Sequence, residues 1–496
     1  MLPLSDVLNG LSLACAPQNL FFALAGACLG TFVGVLPGLG PTSGIAILLP
    51  LTTILPPTPA IIMLAGIYYG AMYGGSTTSI LMNVPGELSS VVTCLYGYAL
   101  ARQGKAGVAL AIAAISSFVA GTLGLLGLTF FAGPLAGIAL DFGPPEYFAL
   151  SCFALTMVVG LSHQSPLKGV IAALLGFLLT VIGQDVMTGQ PRFNLGWERL
   201  ISGIDFVPVV VGLFAISEIM LNAEEKGKAI YQKVTRLYPT WNELRQTIGT
   251  MLRSSVSGFF FGLLPGCTPG AISFLAYDLE RRLSKRGDRF GTGELQGVAA
   301  PEGANNAATS GGFVPLFSLG IPTTPSLAVL LSGLMIYGLQ PGPMLFAKHP
   351  KVVWTVIGSM YIGNVMLLIL NLPLVGLWAS IIRVPYHYLA PAILALSVVG
   401  TFSVRNSLFD VWMALIFGGI GYLMNKLSYP TAPLVLALVL GQILEQSFRQ
   451  SLSMSGGSPL LFLSRPFALV LLLCTLVYAG FALVTSFRRR ESGTRA

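Results

Sequence analysis

A proline–glycine motif occurs twice in this chain, each time inside an apolar stretch long enough to cross a membrane. The first copy reads Gly-Val-Leu-Pro-Gly-Leu-Gly-Pro-Thr-Ser-Gly over residues 34–44, and the second reads Gly-Leu-Leu-Pro-Gly-Cys-Thr-Pro-Gly over residues 262–270. Pro37 and Pro265 match at a fixed separation (265 − 37 = 228). Because proline removes a backbone donor and clashes with the preceding turn, neither stretch forms one unbroken helix. Duplicated breaks in two halves are typical of secondary transporters, whose irregular backbone lines a site between the halves.

The composition places the chain in a membrane. Hydrophobic residues make up 54% of the sequence and charged residues only 9%, and the mean hydropathy is +0.79. Soluble proteins carry roughly 25% charged residues. The apolar runs are continuous, which predicts an all-α polytopic membrane protein with about 11–14 membrane segments rather than a β-barrel.

The net charge of +8 has a topological explanation. The basic residues lie in short loops, where they orient a membrane protein by the positive-inside rule, so no nucleic-acid partner is expected. The triple arginine at 488–490 predicts a cytoplasmic C-terminus. The six cysteines are scattered and form no cluster with histidine, so we expect neither a metal site nor an organic cofactor.

The basic residues also predict that the two halves have opposite orientations. No Lys or Arg occurs before Arg102, whereas basic residues flank the second motif on both sides. The stretch 254–277 is too short for two crossings, which indicates a re-entrant hairpin that leaves and returns to the cytoplasmic side. The two halves would then be inverted repeats with broken, re-entrant hairpins. A single proline-kinked span is the alternative.

The repeat extends beyond the first motif. Each of Pro85 and Pro322 follows a Gly-Gly pair at the same distance, and the two prolines are separated by 237 residues (322 − 85 = 237). A charged loop in the second half accounts for the increase from the offset of 228. We therefore divide the chain into a first transmembrane repeat (19–221), a basic cytoplasmic loop (222–253), a second transmembrane repeat (254–446), a Ser/Gly-rich loop (447–465), a C-terminal transmembrane helix (466–487) and a basic tail (488–496).

The broken helices are the first candidate substrate site. Half-helix N-termini present free N–H groups and a positive dipole end, which bind carboxylates without a buried cation. A second candidate is the polar stretch 301–312, whose amides and hydroxyls are costly in a membrane unless they face a cavity or another helix. Packing of small residues between helices is the alternative for that stretch. The candidate substrate-binding residues are Pro37, Gly38, Gly40, Pro41, Thr42, Ser43, Pro265, Gly266, Thr268, Pro269, Gly270, Asn305, Asn306, Thr309 and Ser310.

Five polar residues near the motifs are candidates for coupling transport to an ion, either Na⁺ or H⁺. Glu87 and Glu302 are the acidic residues nearest the motifs, and each is equally compatible with a loop end at the membrane interface. The other three, Asn83, Thr323 and Thr324, lie in the matching Pro segments.

Enzymatic functions find little support in the sequence. The chain has no Walker A motif and no His-Glu-x-x-His pair. The segment Ala308-Thr309-Ser310-Gly311 lacks the first glycine of the serine motif of rhomboid proteases. An intramembrane enzyme is therefore the least expected function.

Together these motifs resemble those of the large membrane subunit of the tripartite tricarboxylate transporters, over nearly the whole chain. The resemblance implies a bacterial inner-membrane permease that is driven by an ion gradient and imports organic carboxylates of the tricarboxylate or dicarboxylate class. It also implies two protein partners, namely a small four-helix membrane subunit and a periplasmic solute-binding protein that delivers the carboxylate. A channel-like or structural membrane subunit is the alternative. The chain departs from the family expectation at Tyr96, where an acidic residue is expected before Gly97-Tyr98.

Overall fold

The computed structural model describes residues 4–36, 39–160, 166–224, 236–381 and 386–493. Within these ranges the chain is almost entirely helical. A two-stranded antiparallel hairpin, β1 (Gly183–Gln184) and β2 (Pro191–Arg192), is the one sheet of the described residues. The first-motif residues Pro37 and Gly38 lie outside the described residues.

Ten α-helices form the first part of the chain. A 3₁₀ turn (Leu88–Ser90) precedes the fifth, and π turns (Ala101–Lys105 and Val211–Ile216) precede the sixth and tenth. The helices are α1 (Leu4–Ala14), α2 (Pro17–Val35), α3 (Pro41–Thr52), α4 (Pro57–Met82), α5 (Val91–Leu100), α6 (Ala106–Ala139), α7 (Pro144–Gly160), α8 (Pro166–Thr180), α9 (Phe206–Val210) and α10 (Ser217–Asn222).

Twelve more helices follow in the described residues beyond 236. They are α11 (Trp241–Gly262), α12 (Pro269–Leu283), α13 (Gln296–Leu319), α14 (Pro325–Ile336), α15 (Pro343–Lys348), α16 (Pro350–Asn371), α17 (Val375–Ile381), α18 (Tyr386–Arg405), α19 (Leu408–Lys426), α20 (Thr431–Met454), α21 (Leu461–Ser464) and α22 (Pro466–Gly493).

Six helical stretches of the described chain are long and apolar enough to cross a membrane. They are Pro17–Val35, Val91–Ala139, Pro350–Asn371, Tyr388–Arg405, Leu408–Lys426 and Thr431–Met454. Five shorter apolar helices accompany them. The prediction of an all-α polytopic membrane protein is therefore confirmed, while the total of about 11–14 membrane segments stays a prediction.

The prolines of the two motifs explain where the broken helices resume. Pro41 is the first residue of α3, and Pro269 is the first residue of α12. Proline is favoured at the first helical position, because its fixed φ suits a helix and its missing N–H has no intrahelical partner there. The same residue type that ends the preceding helix thus starts the next one.

In the first half, α2 and α4 pack together in parallel. A Cβ atom on Gly26 would lie 2.5 Å from the Met63 carbonyl oxygen, and one on Gly34 would lie 2.2 Å from that of Ala71. Later residues of α2 therefore contact later residues of α4, which means that the two helices run in the same direction. Because α3 joins the end of α2 to the start of α4, α3 runs back alongside them. Its 12 residues extend about 18 Å, well short of a bilayer core.

The second half repeats this arrangement with α11, α12 and α13. A Cβ atom on Gly258 would lie 2.3 Å from the Ala304 carbonyl oxygen, and one on Gly262 would lie 2.5 Å from that of Ala308. Helices α11 and α13 are therefore parallel, and α12 runs back between them.

Polar contacts hold the start of α11 beside the end of α12. Glu280 is 3% exposed and accepts hydrogen bonds from Thr250 (2.8 Å) and Arg253 (2.5 Å). Farther out, the Arg286 guanidinium donates to the Gln246 side-chain oxygen at 2.8 Å. Both ends of this hairpin thus lie at one end of the helices, with the break at the other.

The glycine contacts of the two halves occur at positions related by the offsets of the sequence motifs. Gly34 and Gly262 differ by 228 (262 − 34), and their partners Ala71 and Ala308 differ by 237 (308 − 71). The contacts of Gly30 with Ile67 and of Gly258 with Ala304 obey the same two offsets. Close backbone packing of two parallel helices therefore recurs at corresponding positions.

The corresponding helices α4 and α13 cross each other in antiparallel directions. The Ser76 hydroxyl contacts the Glu302 carboxylate at 2.6 Å, whereas the ring centroids of Tyr68 and Phe313 are 5.9 Å apart. A position earlier in α4 therefore meets a position later in α13. Each helix also packs against a long helix of the other half, α4 against α16 and α13 against α6. The α4–α13 crossing consequently lies at the centre of the molecule.

Candidate functional site

A buried carboxyl group joins the two halves at the α4–α13 crossing. Glu302 on α13 is 1% exposed. It accepts hydrogen bonds from Ser76 on α4 (2.6 Å), Thr93 on α5 (2.5 Å) and Ser117 on α6 (3.4 Å). All three hydroxyl donors belong to the first half, whereas the carboxyl group belongs to the second.

Asn306 extends this cluster along the same helix. Its side-chain N–H group donates to the Ser117 hydroxyl at 2.7 Å and to the backbone oxygen of Glu302 at 3.1 Å. The Ser117 hydroxyl can then direct its own proton to the carboxylate, so the amide orients a donor to Glu302. The predicted polar stretch on α13 is thus a hydrogen-bonded interface as well as a packing surface.

A second buried carboxyl group lies nearby. Glu87, which is 7% exposed, is the N-cap of the 3₁₀ turn Leu88–Ser90. The Ser89 hydroxyl donates to its Oε1 atom, and the Asn305 side-chain N–H group donates to the same oxygen at 3.4 Å. The amide oxygen of Asn305 is buried and has no hydrogen-bond partner in the described part of the chain. Asn305 lies one helical turn after Glu302, so both side chains point to one face of α13.

These two buried carboxyl groups have no cationic partner among the residues that the structure describes. Among the described residues, no Lys or Arg forms an ion pair with Glu87 or Glu302, and Glu302 is an electrostatic neighbour of Glu87. An isolated buried carboxylate is very unfavourable, and two neighbouring ones repel each other. The described residues therefore leave the ionised form of both groups without a compensating positive charge, and a cation or a proton would supply that charge.

A group of hydroxyls lies where the N-termini of α3 and α14 meet. The Thr42 and Ser326 hydroxyl oxygens are 2.7 Å apart and join the first residues of the two helices. Thr324 is the N-cap of α14 and accepts from the Leu327 N–H group at 3.3 Å. The Tyr68 hydroxyl lies 3.5 Å from the Thr324 hydroxyl. Two positive helix ends and several O–H donors are thus directed to one region, which is the chemistry that binds an anion.

The break of the second motif is connected to the same segment. The Gly266 N–H group donates to the Thr323 carbonyl oxygen at 3.0 Å, and the Thr268 hydroxyl caps α12 by accepting from the Ala271 N–H group at 3.4 Å. Gly266 has φ +83°, and a Cβ atom there would lie 2.6 Å from the Cα atom of Val158. This glycine is therefore required by the left-handed backbone and by contact with α7.

Other predicted residues have local structural partners. Asn83 ends α4 in a left-handed conformation (φ 58°), and its side-chain oxygen accepts from the Cys94 thiol at 3.4 Å. The Ser43 hydroxyl donates to the Phe214 carbonyl oxygen at 3.3 Å. Ser310 packs against Gly124 of α6. A Cβ atom added to Gly124 would lie 2.8 Å from the Cβ atom of Ser310.

The remaining candidates have simpler positions. The Thr309 hydroxyl donates to the Asn305 backbone oxygen at 3.0 Å. Gly40 is the N-cap of α3. A Cβ atom at this position would have no neighbouring atom of the described chain within 4 Å, so packing does not require a glycine there. Pro265 lies in the break between α11 and α12, and Gly270 is the second residue of α12.

Several residues of the site were not among the sequence predictions. They are Tyr68, Ser76, Thr93, Ser117 and Ser326. Their only sequence signal is a polar atom inside an apolar helix, which is costly unless it is hydrogen-bonded. That signal is common to many serines and threonines that bond to their own helix, such as Ser397, whose hydroxyl donates to the Ile393 carbonyl oxygen.

Tyr96, the departure from the family expectation, lies apart from these contacts. Its ring stacks on that of Tyr277 in α12 with a centroid separation of 4.1 Å and an interplanar angle of 8°. Tyr277 also packs edge-on against Phe290. An aromatic contact between α5 and α12 therefore occupies the position where an acidic side chain was expected.

A cavity of about 470 Å³ lies at the other end of α14. Four of its five charged lining residues pair with one another, and the fifth, Asp205, pairs with Arg405 outside the lining. Arg192 contacts Glu445 at 2.7 Å, and Arg449 contacts both Asp185 (2.7 Å) and Glu445 (3.1 Å). The hydrogen bond from Arg449 lowers the pKa of the Asp185 carboxyl group below its ordinary range. This network attaches the loop that carries β1 and β2 to α20.

The sequence model of a family described as the tripartite tricarboxylate transporter TctA family matches residues 20–436. The chain belongs to this family. It is a family of transporters, and the chain is accordingly a multi-pass membrane subunit of that class.

Two relatives from Agrobacterium vitis are similar to the chain. An uncharacterized 52.8 kDa protein in the TAR-I ttuC' 3' region is 43% identical over 492 residues, which cover 98% of each protein. An uncharacterized protein in the TAR-II ttuC' 3' region is 40% identical over 234 residues, which cover 47% of this chain and 97% of that protein. No solved structure shows significant similarity to the chain.

The hydroxyl donors to Glu302 lead to a prediction about stability. Ser76→Ala removes the 2.6 Å donor and leaves a buried carboxyl group with less compensation, so we expect a loss of about 1–3 kcal/mol in the free energy of unfolding. Ser255→Ala is the matched control, because the Ser255 hydroxyl is also buried but donates to the Met251 carbonyl oxygen of its own helix. Thermal unfolding of both purified variants measures the difference. An equal effect of the two substitutions would contradict the assigned role of Ser76.

Proposed function

We propose that the chain is the permease subunit of an ion-gradient-driven importer of organic carboxylates of the tricarboxylate or dicarboxylate class. One observation carries the proposal. At the crossing of two antiparallel helices, one from each half, a buried carboxyl group is hydrogen-bonded by hydroxyls of the opposite half and has no Lys or Arg partner in the described part of the chain. Buried ionisable groups inside a membrane bundle are expensive, and they typically serve ion or substrate pathways. Membership of the family supports the carboxylate class.

The two halves, 19–221 and 254–446, form an inverted repeat in this proposal. Two kinds of observation support it. Parallel helix pairs recur with glycine contacts at the offsets of the motifs, and the corresponding helices α4 and α13 run in opposite directions. Inverted repeats allow one half to rock against the other around a fixed site, which gives alternating access. The loops 222–253 and 447–465 and the helix 466–487 are additions to this core.

The distribution of basic residues supports an orientation in the bacterial inner membrane. Lys and Arg residues concentrate at the end where α11 starts and α12 stops, and fewer lie at the opposite end beside the Asp185 network. The positive-inside rule places the first end in the cytoplasm. Helix α22 starts beside the opposite end, which agrees with a cytoplasmic C-terminus. The basic residues at the first end include Arg102, Lys105, Arg236, Arg245, Arg253, Arg281, Arg282, Lys285, Arg286 and Arg289.

In this proposal the carboxylate binds at the breaks. The N-termini of α3 and α14 meet at the Thr42–Ser326 contact, and the capped N-terminus of α12 lies beyond the Gly266–Thr323 bond. Free N–H groups and hydroxyls then replace the water around the anion. The coupling ion, Na⁺ or H⁺, neutralises Glu87 and Glu302.

Two partners complete the system. A periplasmic solute-binding protein delivers the carboxylate, and a small four-helix membrane subunit accompanies the permease. Family membership supports a membrane partner and a binding protein in general terms.

Uptake of radiolabelled citrate into proteoliposomes tests the function. The permease is reconstituted with its small subunit and binding protein, and an inward Na⁺ gradient and an inward proton gradient are imposed separately. We expect citrate to accumulate above the external concentration with one of the gradients, and Glu302→Gln to abolish the accumulation. Entry that only equilibrates citrate across the membrane, regardless of the gradient, would instead identify a channel-like subunit.

Cysteine labelling tests the proposed orientation. In a cysteine-free background, Trp197→Cys is placed in the loop that follows β2, where Trp197 is 63% exposed, and Arg289→Cys is placed after α12. A membrane-impermeant maleimide should label the first variant in intact spheroplasts and the second only after permeabilisation. Labelling of both from the same side would contradict the orientation.

A further inference from the structure

Two pairs of residues at the centre of the molecule correspond under the offset of the sequence repeat. Glu87 and Thr324 are the N-caps of the helical turns that follow α4 and α13, and they differ by the motif offset (324 − 87 = 237). Glu87 is hydrogen-bonded to Asn305, and Thr324 lies beside Tyr68. Asn305 and Tyr68 differ by the same number (305 − 68 = 237). The same contact between a capping residue and the opposite central helix thus occurs twice.

The two pairs differ in charge. Tyr68 and Thr324 offer two neutral hydroxyls, each of which both donates and accepts hydrogen bonds. Glu87 and Asn305 offer a carboxyl group and an amide, with the Glu302 carboxyl group one helical turn away on α13. An anion at this second pair would be repelled by two acidic side chains. The two pairs therefore occupy corresponding backbone positions, but their side chains suit ligands of different charge.

The Asn305 amide indicates what the acidic pair accepts. Asn305 is 2% exposed, and its N–H group donates to the Glu87 carboxylate, so its amide oxygen takes no part in that hydrogen bond. That oxygen is buried and has no donor among the described residues. A buried acceptor without a partner is unfavourable, because it has lost its hydrogen bonds to water. A cation supplies a positive partner for the amide oxygen and for the carboxylates together.

We propose that Glu87, Asn305 and Glu302 form a binding site for one monovalent cation of the Na⁺ class, and that the corresponding Tyr68–Thr324 pair does not bind it. The inference rests on the proposed function, because it names the coupling ion and its ligands. Carboxylate, amide and hydroxyl oxygens are hard ligands that suit a hard cation.

The site also connects the ion to the contact between the halves. Glu87 belongs to the first half and Asn305 to the second, so a bound cation stabilises their juxtaposition. Glu302 is held by first-half hydroxyls in the same region. A cation that binds this arrangement better than a separated one shifts the population toward it, by its differential affinity for the two arrangements.

Thermal unfolding of the purified full-length protein in detergent tests the site without requiring transport. The probe is NaCl, titrated against choline chloride at constant ionic strength. A ligand that binds only the folded state raises the unfolding midpoint in proportion to its occupancy. We expect Na⁺ to raise the midpoint of the wild type. Asn305→Ala and Glu87→Gln should weaken the apparent Na⁺ affinity by about tenfold or more, the loss expected for one buried ligand oxygen.

Two variants provide matched controls. Thr324→Val alters the corresponding capping residue of the other half and should leave the Na⁺ affinity unchanged. Glu224→Gln removes a carboxyl group that pairs with Lys426 and is not part of the proposed site. This substitution should also leave the Na⁺ affinity unchanged. Glu87→Asp keeps the charge and should retain more Na⁺ affinity than Glu87→Gln. If Glu87→Gln cannot be purified, the apparent Na⁺ affinity of Asn305→Ala alone tests the site.

Four results would overturn the site. The first is a wild-type midpoint that does not respond to Na⁺. The second is a midpoint that responds to pH alone, which assigns a proton to the carboxyl groups. The third is an unchanged Na⁺ affinity in Asn305→Ala despite a lower midpoint, which assigns a structural role to the amide. The fourth is an equal loss in Thr324→Val. None of them decides gradient-driven citrate uptake, so the two proposals fail separately.

Discussion

The hydrogen bonds to Glu302 are the interaction on which the centre of this structure depends. The carboxyl group lies on α13 of the second half, and its donors Ser76, Thr93 and Ser117 come from three helices of the first half. Once buried, the carboxyl group requires these partners, because a buried charge without compensation is far more costly than a hydrogen bond is favourable. The contact consequently fixes the register of the two antiparallel helices. It also leaves a buried carboxyl group that no Lys or Arg in the described part of the chain neutralises.

Backbone packing at glycines makes this crossing possible. Gly34 and Gly262 allow a carbonyl oxygen of the neighbouring parallel helix to come where a Cβ atom would otherwise lie. Small residues at such contacts are the usual means by which helices associate in lipid, because the hydrophobic effect does not drive helices together there. The close pairs hold each broken hairpin against its central helix. The break of the second motif, at Pro265 and Gly266, is buried in protein, which is where irregular backbone is tolerated in a membrane.

The broken helices were predictable from the sequence, because proline acts locally. Pro41 and Pro269 begin new helices, as the motif indicated. The burial of Asn305 and Asn306 against other helices was expected for a similar reason, since several adjacent polar groups in an apolar segment are costly unless they face a cavity or another helix. Glu302 was equally compatible with a loop end at the membrane interface, and the role of all three residues in a site stays a prediction. The partners of these residues were not predictable. Whether a serine such as Ser76 bonds its own helix or a distant carboxylate depends on tertiary packing, and the sequence is alike in both cases.

The contact between the two halves at the hydroxyl cluster offers the most direct test of the account. Thr42 and Ser326 have hydroxyl oxygens 2.7 Å apart on the first turns of α3 and α14, which brings the two positions within reach of a disulfide. In a cysteine-free background, Thr42→Cys and Ser326→Cys should cross-link on oxidation, and citrate should slow the reaction. Cross-linked protein should lose citrate uptake and regain it after reduction. Unimpaired uptake by the fully cross-linked protein would contradict the claim that substrate passes between the halves at the helix breaks.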